Sequence, residues 1–379
     1  MNEKIITLRH LLHSRPEVSN HEYETAAIIR EFIEQYEPTE LIAGIGGAGL
    51  AVIYDFGGVG KTIAIRCELD ALPILEKSDL SYRSVHDGVS HKCGHDGHMA
   101  IVASLGPWLQ TINLDQGKVV LLFQPAEENG QGAERIVSDE RFRNLNVDHI
   151  FALHNLPQEA LHDIIVMERG FSAEVISCII RLTGKESHAA EPENGTNPTL
   201  AISDITARCS QLGVSNPEDA SFAVLTPVHI RMGQAAYGIS PGDGELHYTI
   251  RTWTSDKMQQ LRTDIVDIIS ERCQAHGLSY DIEWLEYFPA SINDEESNDI
   301  VRQAAMTHAF NISERTYPFK FGEDFGRYTD LYKTAIFGLG AGYDTPALHH
   351  ATYDFPDEII ETGSDMFKSI IMHILGPKQ

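Results

Sequence analysis

The segment His91-Lys92-Cys93-Gly94-His95-Asp96-Gly97-His98 crowds a thiol, imidazoles and a carboxylate into one short stretch. Thiolate, imidazole and carboxylate are the ligand types of zinc and manganese. Glycines at 94 and 97 give the backbone the freedom to turn so that side chains converge. The plain alternative is a His-rich surface loop ahead of a helix. Downstream, Pro125-Ala126-Glu127-Glu128-Asn129-Gly130 sets two carboxylates side by side. Buried at a strand end, they would repel unless a cation held them. One can then ligate metal while its neighbour activates water as general base. Taken alone, the pair reads better as two solvated carboxylates at a helix start. His154 closes the run ALH, and His349 lies in LHHA beyond another apolar run. A lone strand-end His is usually a satisfied core residue, and paired loop histidines are usually exposed. Together, Cys93, His95, Glu128, His154 and His349 supply ligands for two divalent ions, with Glu127 left as base.

These residues need elements that bring them together. TIAIRCEL (62–69), KVVLLFQ (118–124), HIFALH (149–154) and TAIFGLG (334–340) are continuous apolar runs, which suit strands buried on both faces. Helical patterns separate them, at 98–110 and 133–144 for example. The alternation predicts an α/β domain with a mostly parallel sheet flanked by helices. Asp70, Glu127, Glu128 and His154 all fall where strand runs stop, the edge at which open α/β sheets bind ligands. The middle of the chain reads β-α-β-β-α-β, a ferredoxin-like α+β unit. Its insertion divides the chain into a catalytic domain of 1–172 and 288–379 and an inserted smaller domain of 173–287.

The whole chain, 379 residues, exceeds what one core usually organises. Its formal net charge is −26, from 55 acidic and 29 basic residues. Such a surface repels phosphate backbones and anionic lipid, so nucleic acid and membrane partners are not expected. The opening MNEKIITLRHLLHSRPEV has no signal-peptide pattern. Five scattered cysteines argue against a disulfide framework and for a reducing, cytoplasmic setting.

The motifs RPEVSNHE, RCELDALP, HKCGHDGH, FQPAEENGQGA, ALHNLP, GKESHAAEPENGTNP, GEDFGRY and LHHATYDF occur in the order and spacing of one family. The chain resembles the hippurate hydrolases, N-acyl-L-amino-acid amidohydrolases and indole-acetyl-amino-acid hydrolases of the zinc aminoacylase and carboxypeptidase superfamily. The resemblance implies metal ligands at Cys93, His95, Glu128, His154 and His349, with the Cys93 thiolate between the ions. It implies Glu127 as general base and proton shuttle, Asp70 as a carboxylate that orients a ligand, and His188 as a stabiliser of the oxyanion. Without it, His188 reads as an exposed loop residue and Asp70 as a strand-end cap. Glu323 and Asp324 match a family motif, but helix capping explains them nearly as well.

Two departures concern substrate. Gly238 stands where the family often has Asn, and Glu68 where it usually has Asp. The expected activity is hydrolysis of the amide bond of N-acyl amino acids by a two-metal activated water. Zinc or manganese are the expected ions, with cobalt or nickel admitted, and a homodimer through the inserted domain is the expected assembly. The rival readings are a cysteine hydrolase with Cys93 as nucleophile and His154 as base, and a non-catalytic metal- or partner-binding homologue.

Overall fold

A computed structural model of the chain describes residues 3–168 and 170–377. Chain order gives α1 (Glu3–Ser14), α2 (Tyr23–Glu34), β1 (Glu40–Ile45), β2 (Gly49–Asp55), β3 (Thr62–Glu68), α3 (His95–Ala103), β4 (Lys118–Gln124), β5 (His149–Leu156) and β6 (Ile164–Met167). Next come β7 (Glu174–Thr183), α4 (Thr199–Ser210), β8 (Ala223–Met232), β9 (Asp243–Thr252), α5 (Ser255–His276) and β10 (Ser279–Phe288). The chain then runs through α6 (Glu295–Thr307), β11 (Ile312–Arg315), β12 (Lys333–Gly340) and α7 (Ile359–Leu375). It folds as two compact units. One comprises Met1–Phe171, Ser291–Thr316 and Glu323–Gln379, the other Ser172–Ala290 and Tyr317–Gly322. The strip Tyr317–Gly322, left with the catalytic domain by the sequence reading, joins the second unit. A parallel bridge between Ser172 and Phe319 and a bond from Arg251 Nε to the Lys320 carbonyl hold it there.

The first unit is built on a sheet of order β1-β2-β4-β3-β5-β12-β6-β11. Its centre is parallel: β3 pairs with β4 and β5, β5 with β12, and β6 with β11. The pairs β1–β2, β2–β4 and β6–β12 are antiparallel. β3 and β5 are buried along their whole length and β4 beyond Lys118, which is why these strands read as unbroken apolar runs. One hydrophobic core joins them to α1, α2, α3, α6 and α7. The sequence reading did not single out the hairpin β1–β2. Glycine makes its turn possible, with Gly44 and Gly46 at φ 74° and 61°. The helix expected over 133–144 is broken. Asp139 is extended, and its carboxylate accepts the Arg141 N–H, ending one helix at Ser138 and capping a second at Glu140–Arg143. Among the described residues, no helix is long and apolar enough to cross a membrane.

The second unit has the order β8-β9-β7-β10, antiparallel throughout, with α4 and α5 packed on it through a separate core. This is the ferredoxin-like β-α-β-β-α-β arrangement. Strand β8 is an edge, exposed from Thr226 to Met232.

Candidate metal centre

The cysteine-histidine cluster forms because the chain turns sharply just before α3. Gly94 sits at φ 96°, and a Cβ there would lie 2.6 Å from Asn155 Oδ1. Gly97 has a different reason: it lies within α3, and a Cβ would come 2.3 Å from the Phe355 ring. Close packing, not turning, requires it. The turn aims Cys93 and His95 at the end of β5, where Cys93 Sγ is 3.6 Å from His154 Nε2. At the end of β4 the chain bends through Ala126, at φ 53°, and delivers the two glutamates. His95 Nε2 lies 3.9 Å from both Glu127 Oε2 and Glu128 Oε1. Glu128 Oε2 is in turn 3.8 Å from His349 Nε2. Three overlapping sets each hold their donor atoms within 4.8 Å: Cys93-His95-His154, Cys93-Glu128-His349 and His95-Glu127-Glu128. The five expected ligands and the expected base therefore share one place in the first unit.

Two atoms in that place, His95 Nε2 and Glu128 Oε1, are buried and have no hydrogen-bond partner among the described residues. Orphaned buried polar atoms are rare and need an explanation. An imidazole nitrogen and a carboxylate oxygen facing one another beside a thiol fit a divalent cation.

The supporting contacts show how each side chain is aimed. His95 Nδ1 donates to the Asp70 backbone carbonyl at 2.8 Å, while the nearest Asp70 carboxylate oxygen is 3.6 Å away. The Asp70 carboxylate instead accepts the N–H groups of Glu127 and Glu128 and the Ser19 hydroxyl, at 3.2, 3.0 and 2.7 Å. Asp70 thus orients one residue with its backbone and a second loop with its side chain. Glu22 accepts the Ala126 N–H at 2.7 Å, so two buried carboxylates fix three consecutive amides of the glutamate turn. His154 Nδ1 donates to the Asn155 carbonyl at 2.9 Å, which sets its ring orientation. His98 lies outside the expected set and bridges Glu68 and Asn155, at 2.6 Å each.

Behind Glu127 lies Arg66, fully buried on β3. It pairs with Glu68, with Glu323 at 3.0 Å and with Asp324 at 2.8 Å. Glu323 caps the Phe325 N–H at 3.1 Å, as capping would have it, but the guanidinium is what anchors this segment. In consequence the Asp324 N–H donates to Glu127 Oε1 at 3.3 Å. Glu22 and Arg66 are positioning residues that sequence reasoning missed. For Arg66 a signal existed, since a guanidinium inside an apolar strand run needs buried carboxylates around it.

Burial, then the neighbouring carboxylates Glu323 and Glu128, hold the Glu127 carboxyl well above its usual range. Burial lifts Glu128 to about 7. Burial and both glutamates push the Cys93 thiol upward. Burial alone would lower His95, but the nearby Asp70 carboxylate and the charges of Glu68 and Glu128 bring it to about 10. Burial and His98 lower His154 to about 3. Burial and His95 lower His349 as well. Apart from these two histidines the cluster favours protons, and a bound cation would take their place.

A second buried network sits against the first turn of α3. Asp96 accepts from Arg9 and from His13 Nδ1 at 2.8 Å, and His13 Nε2 bonds Glu76 at 3.0 Å. Burial opposes the charge on His13, but Asp96 and Glu76 raise it to about 9. A raised histidine adds stability that is complete below its unfolded value, near 6.5, and is lost as pH climbs through 9. His13→Gln is therefore expected to lower unfolding stability by up to about 3 kcal/mol at pH 6, with the deficit shrinking above pH 9. Urea unfolding of both chelated proteins at pH 6 and pH 9.5 checks this, and an undiminished gap at the higher pH would refute it.

In the second unit His188 lies on, and Gly238 directly precedes, the strands of a small ribbon pairing Ser187–His188 with Ile239–Ser240. The Ala189 N–H bonds the Gly238 carbonyl at 3.0 Å. His188 is exposed, and a Cβ on Gly238 would meet open space, so packing does not demand glycine there.

The description "Peptidase family M20/M25/M40" matches residues 64–373. Over 370 residues the chain is 31% identical to the N-acetyl-L-cysteine deacetylase of Bacillus subtilis strain 168, covering 95% of this chain and 85% of the relative. A solved dinuclear metal binding peptidase of the M20 family from Bacillus subtilis superposes with a TM-score of 0.83 at 26% identity, covering 98% of both chains. A protein of methicillin resistant Staphylococcus aureus superposes at 0.87, again 26% identical, over 98% of this chain and 96% of the other. The chain belongs to the M20/M25/M40 peptidase family and is a hydrolase of amide bonds.

Proposed function

We propose that this chain hydrolyses the amide bond of small N-acyl amino acids with two divalent ions held by Cys93, His95, Glu128, His154 and His349. The observation that carries the reading is the convergence of these five side chains on the orphaned pair His95 Nε2 and Glu128 Oε1. The deacetylase relative supports an N-acyl amino acid as substrate class, and the dinuclear structural neighbour supports a pair of ions. Bound there, the ions supply Lewis acidity that polarises the amide carbonyl and makes a water easier to deprotonate. Glu127 takes the proton from the attacking water. Burial and like charge make its carboxylate a stronger base than usual. The Asp324 N–H holds Glu127 Oε1, leaving Oε2 on the side of His95. Glu127 then hands the proton to the leaving amine. Asp70 and Glu22 keep the glutamate turn from relaxing between steps. His188 is assigned to the oxyanion on the resemblance alone. Zinc suits the thiolate best, and manganese the oxygen and nitrogen ligands.

A homodimer through the second unit is part of this reading. Strand β8 leaves an edge with Val228 and Ile230 exposed, and unpaired edges recruit partner strands. All five cysteines are free and buried, in keeping with a reducing cytoplasm.

The test is a hydrolysis screen of acetyl, benzoyl and indole-acetyl amino acids on protein loaded with zinc or manganese. At least one series is expected to turn over only with metal present. Metal-loaded protein that cleaves none of them would favour the non-catalytic alternative.

A further inference from the structure

Of the five ligands, His349 is the least supported by its own element. It lies in a loop at φ 63°, a strained conformation for histidine, and its side chain is half exposed. The Lys77 N–H holds the middle of that loop at the Ala351 carbonyl, 2.8 Å away, and two further bonds hold its ends to one residue. The His349 N–H donates to the Lys92 carbonyl at 2.7 Å. Four residues on, the Tyr353 carbonyl accepts from Lys92 Nζ at 2.7 Å. Lys92 thus spans the turn from His349 to Tyr353, with its backbone at one end and its ammonium at the other. The ammonium is fully buried and is held in place by Glu76 at 2.6 Å. A buried lysine is expensive to desolvate and persists only where its donors are taken up. Lys92 is also the residue before Cys93, so the same backbone carries one ligand and grips the loop of another.

We propose that Lys92 is a positioning residue for metal binding: it holds the 349–353 turn so that His349 closes the Cys93-Glu128-His349 set. This rests on the two-ion reading above. The alternative is that Lys92 only neutralises Glu76. Glu76, bonded also to His13 and to the Ser84 N–H, would keep the network together without it.

The experiment titrates chelator-stripped protein with zinc against a competing indicator and reads stoichiometry and affinity. Wild type is expected to bind two ions per chain. In Lys92→Met, one ion is expected to weaken by about tenfold or more, the size seen when a residue orienting a ligand is lost, while the other stays within about twofold. His349→Ala should weaken the same ion, and adding Lys92→Met to it should change affinity little further. The pair Glu76→Gln/Lys92→Met removes both buried charges. It is expected to regain thermal stability lost in the single variant while the weak ion stays weak, and it serves in place of the single variant should that not fold. Unchanged affinities in both Lys92→Met proteins, or recovery of affinity together with stability, overturn the role of Lys92 and leave the two-ion reading standing. A wild-type chain that binds fewer than two ions overturns both.

Discussion

Glu127→Gln is expected to keep the fold and both metal ions and to lower kcat by about 10²–10⁴-fold, the usual contribution of a general base. Glutamine is isosteric, and its carbonyl oxygen can still accept the Asp324 N–H that now meets Glu127 Oε1. The Asp70 bonds to the backbone of the turn do not involve this side chain at all. What glutamine removes is the ability to take up a proton. Wild-type Glu127 is raised by burial and by Glu323 and Glu128, in the direction that makes a carboxylate a better base near neutral pH. Steady-state kinetics with metal analysis on the same preparation decide the matter. A variant with full metal content and activity within a few-fold of wild type would remove Glu127 from the reaction.

Cys93→Ala is expected to abolish stable metal binding at one or both positions and nearly all turnover with it. The thiol belongs to two of the three overlapping donor sets, so its loss opens both. The same residue separates the metal reading from a cysteine hydrolase. Cys93 Sγ and His154 Nε2 are 3.6 Å apart, close enough to suggest a nucleophile and its base. Their electrostatics run the other way. A nucleophilic cysteine needs its thiolate favoured, whereas burial and the glutamates push this thiol up, and burial pulls His154 down to about 3. Without a cation the pair rests as thiol and neutral imidazole. Chelated wild-type protein should therefore be inactive, and zinc or manganese should restore it. Turnover by metal-free protein that iodoacetamide then destroys would favour the cysteine mechanism instead.

Much of the architecture could be read from local pattern. Continuous apolar runs in TIAIRCEL, KVVLLFQ, HIFALH and TAIFGLG mark strands buried on both faces, because such strands have no solvent side to alternate with. The hairpin β1–β2 escaped because its glycine-rich stretch reads as loop until β2 is seen paired with β4. The helix over 133–144 was broken by one Asp side chain competing for a backbone N–H, a local event that periodicity does not report.

The sequence by itself determined the residue types of the candidate site, the placement of Asp70, Glu127, Glu128 and His154 where strand runs stop, and the β-α-β-β-α-β order of the second unit. These depend on residue identity and on periods of a few residues. Tertiary structure decided which imidazoles in HKCGHDGH face the cluster: His95 does, while His98 turns to Glu68 and Asn155. It also decided that the Asp70 carboxylate serves the glutamate turn, that Arg66 reaches Glu323 and Asp324 across more than 250 residues, and that Lys92 grips the far end of the chain at Tyr353. The reason is physical. A buried charge must find its partners wherever the fold brings them, and the direction of a side chain at the end of a strand is set by contacts whose sequence separation no local pattern records.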